Sequence, residues 1–268
     1  MSRLRGLLAF QLAFLTVGAV AASSAQADGY ASVKDRYVAP TWTGCYIGYD
    51  DGYKWGRTRF STPPTYTLNN PTAAVATPST NGIEHLHTNG FLLGGQFGCN
   101  YQIKRDLVIG FEVSGTRDWG KDTAPSTLTA GAAAPATVAT LTTETVRTCQ
   151  IHVGPRIGTT IGGGTGLAAM VYGTGGYAGA CHRTSQSGAF LLTSITNPSV
   201  STDSFDSGWF VGTGVDIPTP FLLHHSFVQI EFTHSDYGSS SVALAGTTTS
   251  GRVENTTNEL RFGFKYRF

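Results

Sequence analysis

Four cysteines, seven histidines and a small set of charged residues are the groups in this 268-residue chain with the means to do chemistry. In an exported chain, Cys45, Cys99, Cys149 and Cys181 point to disulfides rather than to metal. The alternative is free thiols packed as small hydrophobes. In Glu84-His85-Leu86-His87 an extended backbone turns His85 and His87 the same way, where they could grip a metal or haem iron. A polar loop base is the plainer reading, so they stand as weak candidates, and no metal or cofactor is expected. A Ser–His–acid arrangement would have to use His152 or His234, the latter with Glu231 and Asp236 close in sequence. It needs a hydroxyl held against the imidazole, and no serine is pinned beside either histidine. No enzymatic activity is expected. The triple glycine at Gly162 precedes no helix, which removes a phosphate-cradling reading. A net charge of +1 gives no electrostatic case for nucleic acid.

The elements that must position these groups are clearest at the end of the chain. Leu260, Phe262, Phe264, Tyr266 and Phe268 fall on one face of a strand, and Glu259, Arg261, Lys265 and Arg267 on the other. Such a strand suits a membrane barrel, with its apolar face in lipid and its charged face in the lumen. A chain stopping there is expected to have its barrel as the C-terminal domain. At the other end, Arg3 and Arg5, the apolar run from Leu7 to Ala22 and Ala25-Gln26-Ala27 form a cleavable signal peptide. Residues 1–27 are therefore expected to be removed, 28–41 to form a periplasmic tail, and 42–268 to form the barrel. No later segment has the apolar length of a membrane helix, so an exported chain would cross a membrane only as closed β-structure. Charged residues make up 13% of the chain, against about 25% in ordinary soluble domains. That low share suits a wall that mostly faces lipid.

The period-two segments number eight: Trp42–Phe60, Gly90–Ile103, Leu107–Trp119, Thr143–Ile161, Gly166–His182, Phe205–Ile217, Ser226–Tyr237 and the final strand after Asn255. Short turns and long loops alternate between them, the pattern of an all-β, eight-stranded antiparallel up-and-down transmembrane barrel with short periplasmic turns and long extracellular loops. The first, fourth and fifth segments alternate less cleanly than the rest. Trp42, Tyr101, Trp119, Trp209, Tyr237 and Phe268 lie near strand ends and are expected in interface girdles.

Trp42-Thr-Gly-Cys-Tyr-Ile-Gly48, Gly94-Gly-Gln-Phe-Gly-Cys-Asn-Tyr-Gln102 and the closing Tyr266-Arg-Phe268 resemble the small outer-membrane β-barrel proteins of alphaproteobacteria. That family includes the outer-membrane immunogenic and haemin-binding proteins and is related to the membrane domain of outer-membrane protein A. Ile109-Gly-Phe-Glu112, Arg156-Ile-Gly158, Tyr172-Gly-Thr-Gly-Gly176 and Val211-Gly-Thr-Gly-Val215 extend the likeness in order along the chain. The resemblance implies an outer-membrane location, lipid as the surrounding partner, and a final strand that the barrel-assembly machinery reads through Leu260, Phe262, Phe264, Tyr266 and Phe268. It implies no single activity. The loops here are long, low in charge and rich in Ala, Thr and Pro, so a ligand that family members bind through loops does not carry over.

With the strands laid out, the sequence midpoint of Cys149 and Cys181 falls in the glycine turn, and that of Cys45 and Cys99 in the first long loop. Each pair then sits at similar height on neighbouring antiparallel strands with apolar-face parity, so cross-strand disulfides Cys45–Cys99 and Cys149–Cys181 are predicted. Glu112, Arg156, Asp216, Glu231, Glu259, Arg261, Lys265 and Arg267 share the inner face. Eight strands leave an interior about wide enough for its own side chains. The expected function is a structural and surface role with a lumen filled by salt bridges. A narrow porin for small solutes, or a surface protein binding haemin or another ligand through its loops, is the alternative.

Overall fold

The computed structural model describes residues 42–61, 65–67, 76–78, 83–104, 106–119, 122–129, 138–162, 168–190, 199–243 and 250–268. The expected signal peptide and periplasmic tail lie outside the described residues. Eleven strands occur in order: β1 (Gly44–Ser61), β2 (Thr65–Thr67), β3 (Ala76–Pro78), β4 (Ile83–Gln102), β5 (Leu107–Trp119), β6 (Asp122–Thr129), β7 (Val138–Ile161), β8 (Ala169–Phe190), β9 (Ser199–Pro218), β10 (Ser226–Ala243) and β11 (Ser250–Arg267). Eight of them, β1, β4, β5 and β7–β11, form one closed antiparallel ring, shut by the β1–β11 and β5–β7 pairings. β2 and β3 pair with each other, and β6 takes up the edge of β7 beyond the stretch that β5 occupies. Among the described residues there is no helix.

The ring follows from the alternation. On β5, Ile109 and Phe111 are exposed on the outer wall while Val108, Glu112, Ser114 and Thr116 are buried inside. On β11, Phe262 and Tyr266 face out, and Glu259, Arg261 and Lys265 are almost wholly enclosed. A period of two puts successive side chains on opposite faces, so an apolar wall around a polar interior needs nothing beyond this pattern.

Two bulges break the period and change which residues face inward. On β7 the register shifts between Arg147 and Cys149. The extra residue leaves Arg147 buried inside while Cys149, two positions on, keeps the outward parity of Ile151 and Val153. On β10 the shift falls between Asp236 and Ser239. Gly238 adopts φ +66° there, a left-handed value that glycine tolerates, and its N–H donates to Asp236 Oδ1 at 2.8 Å. Tyr237 faces inward and is buried, not part of a girdle as expected. Trp42 departs likewise: it is 2% exposed and packs on Phe227 at 5.1 Å between ring centroids. Tyr101, Trp119, Trp209 and Phe268 are exposed on the outer wall.

Both cysteine pairs are joined. Cys45 and Cys99 are direct partners across β1 and β4, as are Cys149 and Cys181 across β7 and β8. Non-reducing peptide mapping of the exported protein is expected to recover both linked peptide pairs; four alkylatable thiols would contradict both disulfides.

Candidate functional site

The inward-facing side chains make a continuous ladder from one rim of the barrel to the other. At the rim that carries the short turns, Trp42, Val108, Met170, Tyr172 and Phe227 form an apolar floor. Above it, the Arg156 guanidinium donates to Glu112 at 2.9 Å and to Asp216 at 2.7 Å, while Lys265 reaches the same two carboxylates at 3.2 and 3.3 Å. Tyr46 donates its hydroxyl to Glu112 at 2.5 Å. The guanidinium carbon of Arg156 lies 3.7 Å above the Tyr172 ring, a cation–π contact in an enclosed site. Glu231 is held by neutral groups, accepting from the Tyr172 hydroxyl at 2.7 Å and from Gln229 at 2.9 Å.

The middle and upper tiers are built the same way. Arg261 pairs with Asp50 at 3.3 Å and Glu259 at 3.2 Å, and also contacts the His152 ring. Arg147 pairs with Asp118 and, at 3.0 Å, with Glu259; Lys54 donates to Asp118 at 2.9 Å. At the mouth His182 meets Asp206 at 2.9 Å. Between Thr58, Thr88, Thr145, Arg147, His182 and Asn255 there remains a cavity of about 10 Å³, room for about one water.

Glycines on the inner face make space for the two tyrosines. A Cβ on Gly98 would strike the Tyr46 phenol, and one on Gly214 would meet the Tyr172 hydroxyl at 2.5 Å. These are glycines of the Gly94–Gln102 and Val211–Val215 stretches, so in those motifs the missing side chain lets an aromatic ring lie across the lumen.

Seven of the eight residues expected in the lumen network are brought together: Glu112, Arg156, Asp216, Glu231, Glu259, Arg261 and Lys265. Arg267 is a correction. It has the right parity but sits at the rim that carries the short turns, where its guanidinium lies 5.3 Å over the Phe227 ring and makes no ion pair among the described residues. Four partners were missed: Asp50, Lys54, Asp118 and Arg147. Asp118 has the parity of Glu112 and was recoverable by extending the alternation already read in that strand. Asp50 and Lys54 lie where Asp51 and Gly52 interrupt the pattern, and the bulge disguises Arg147.

The histidines divide between the two faces. His152 Nε2 lies 3.0 Å from Ser235 Oγ, but its other nitrogen faces Arg261, and the ring stacks on Phe210 at 4.3 Å. A guanidinium where a triad needs a carboxylate cannot orient or stabilise a histidinium. His234 lies on the outer wall, bonded through Nδ1 to Asn258 at 2.8 Å and 5.8 Å from Trp209. His85 and His87 belong to β4 rather than to a loop, and both are exposed on the outer wall.

A closed eight-stranded ring with an apolar outer wall and an ion-paired interior is a membrane-spanning β-barrel. A profile of the outer membrane protein beta-barrel domain family matches residues 12–268, and the chain belongs to that family. No curated protein matches the chain. Among solved structures it is similar to the attachment invasion locus protein Ail of Yersinia pestis, at 12% identity and a TM-score of 0.31 over 84% of this chain and 99% of that one. It is also similar to OprG of Pseudomonas aeruginosa (14%, 0.32, 85% and 98%) and to the outer membrane protease OmpT of Escherichia coli (9%, 0.38, 86% and 99%).

Removing one member of the upper tier tests how far the network holds the barrel together. Arg147→Met leaves Asp118 and Glu259 short of a cation and is expected to lower unfolding stability by about 3–5 kcal/mol, measured by urea titration in lipid vesicles. Arg183→Met, which breaks an exposed pair with Asp203, is expected to leave the midpoint unchanged.

Proposed function

We propose that this protein is a structural barrel of the outer membrane whose lumen is filled by its own side chains, which presents its loops at the cell surface and performs no catalysis. One observation carries the reading. β7 and β11 stand opposite each other in the ring, and their side chains meet in the middle. Arg147 and Gln150 of β7 bond to Glu259 of β11 at 3.0 and 3.1 Å, and His152 of β7 contacts Arg261. These contacts span the barrel along its diameter, and Lys265 of β11 reaches across to Glu112 of β5.

Among the described residues, five cations (Lys54, Arg147, Arg156, Arg261 and Lys265) face six acids (Asp50, Glu112, Asp118, Asp216, Glu231 and Glu259) in this space, with the His182–Asp206 pair at the mouth beyond them. A solute crossing the lumen would have to part several of these pairs. Each separation leaves a charge without its partner in a low-dielectric interior, at a cost of about 3–5 kcal/mol. The outward residues of β11, ending in Phe268, would serve the assembly machinery as its recognition strand.

Planar-bilayer recordings with the purified protein test the filled lumen. The wild type is expected to give no resolved conductance steps. Reproducible steps that vanish in Arg156→Ala or Lys265→Ala variants would favour the narrow porin instead.

A further inference from the structure

The charges that the lumen does not use are unevenly spread over the outer wall. Arg57 and Arg59 of β1 face outward, two and four residues beyond Trp55 on the same face. His87 and His85 of β4 are their direct register partners, and both are exposed. On the other side of β1, Glu254 pairs in register with Arg59, and Arg252 lies one outward position further along β11. The acid is shared: Arg252 approaches Glu254 at 3.3 Å and Arg59 at 4.0 Å, with their side chains 64% and 47% exposed. Three arginines and two imidazoles therefore share this stretch of the outer wall, across three adjacent strands, with one carboxylate that only Arg59 and Arg252 approach. On the opposite wall the balance differs. Arg183 of β8 is matched by Asp203 of β9 in a two-pronged pair at 2.6 and 3.0 Å.

Position says what the cationic excess faces. Trp55, Tyr53 and Phe91 are exposed aromatics on the same two strands, Tyr53 edge-on to Phe91 at 5.4 Å. Such rings mark the level where hydrocarbon gives way to headgroups. At about 3.3 Å per residue, Arg57 and Arg59 lie about 7 and 13 Å further along the strand, a smaller rise once the strand tilt is counted. That is headgroup depth on the surface-facing side, and on the outside of the wall rather than in the mouth. A soluble ligand entering the barrel would not meet these side chains; a lipid standing against the wall would. Guanidinium groups bind phosphate oxygens in bidentate fashion.

We propose that Arg57, Arg59 and Arg252, with His85 and His87 beside them, form a binding site for the phosphate groups of an outer-leaflet lipid. The site orders one face of the barrel against its surrounding bilayer. It depends on the depth of the barrel in the membrane and not on the filled lumen, so a conducting barrel would leave it intact.

The test uses the full chain in phosphatidylcholine nanodiscs carrying either bisphosphorylated lipid A or the same lipid stripped of phosphate. The wild type is expected to retain the phosphorylated form preferentially, and the preference is expected to shrink as salt is raised. Arg57→Gln/Arg59→Gln/Arg252→Gln is expected to weaken retention by roughly fivefold per arginine, on the order of a hundredfold in all. Arg183→Gln is expected to bind as the wild type does. Heat-modifiable gel mobility shows that each variant is folded, and the salt series on the wild type decides the matter if the triple variant is not. Equal retention of both lipids, a preference indifferent to salt, or a folded triple variant that binds like the wild type would overturn the proposal. Displacement of the lipid by millimolar inorganic phosphate would also overturn it, because the site would then serve a free anion.

Discussion

In hydrocarbon a backbone N–H or C=O has no partner except another backbone group, and that constraint governs this structure. The seam between β1 and β11 meets it, running unbroken from Tyr46 opposite Arg267 to Ser61 opposite Arg252. Closing at eight strands fixes the radius, and a barrel of that radius has room inside for side chains and little else. Each inward residue must then satisfy its polar groups with other inward residues. Arg156, Lys265, Glu112 and Asp216 are answers to one another as much as to any function. Replacing such a set with apolar groups is often neutral or better for stability. What the charges add is a demand for one arrangement, since each carboxylate is reached from a different strand.

That arrangement depends on partners far apart in the chain. Glu259, Arg261 and Lys265 come from β11 and contact β1, β5, β7 and β9. The interior cannot complete itself until the final strand has docked. The first seven ring strands hold only part of the ion pairing, and contacts of such sequence separation form late and at high entropic cost.

The sequence was most readable where one face meets lipid. β5, the lower part of β10 and β11 show their two faces plainly, because Phe111 and Glu112 or Phe262 and Arg261 cannot share an environment. Beyond the hydrocarbon the outer face meets water and carries polar side chains like much of the enclosed inner face, so the contrast fades. Ser199–Ser204, Ser239–Ser241 and Ser250–Asn255 are strand in the structure, yet their Ser- and Thr-rich runs read as loop. Residues 83–88 of β4 and 138–142 of β7 were lost for the same reason. The interior was legible where alternation ran unbroken, which is why Glu259 and Arg261 were found. Lys54 and Arg147 were not, because an interrupted pattern in β1 and an inserted residue in β7 hide their parity. Tyr237 and Trp42 show the limit of reading an aromatic near a strand end as a girdle residue: each is spent on the interior.

The two disulfides face outward and touch neither the ion pairs nor the apolar floor, but they hold the barrel's inside and outside apart. A slip of one residue between β1 and β4 would turn Gln96 toward lipid and Phe97 toward the lumen, and a slip between β7 and β8 would exchange Gln150 and Ile151. Cys45 pinned to Cys99, and Cys149 to Cys181, leave no freedom for either slip. In the closed barrel the register that assigns each strand its two faces is thus held covalently at both seams.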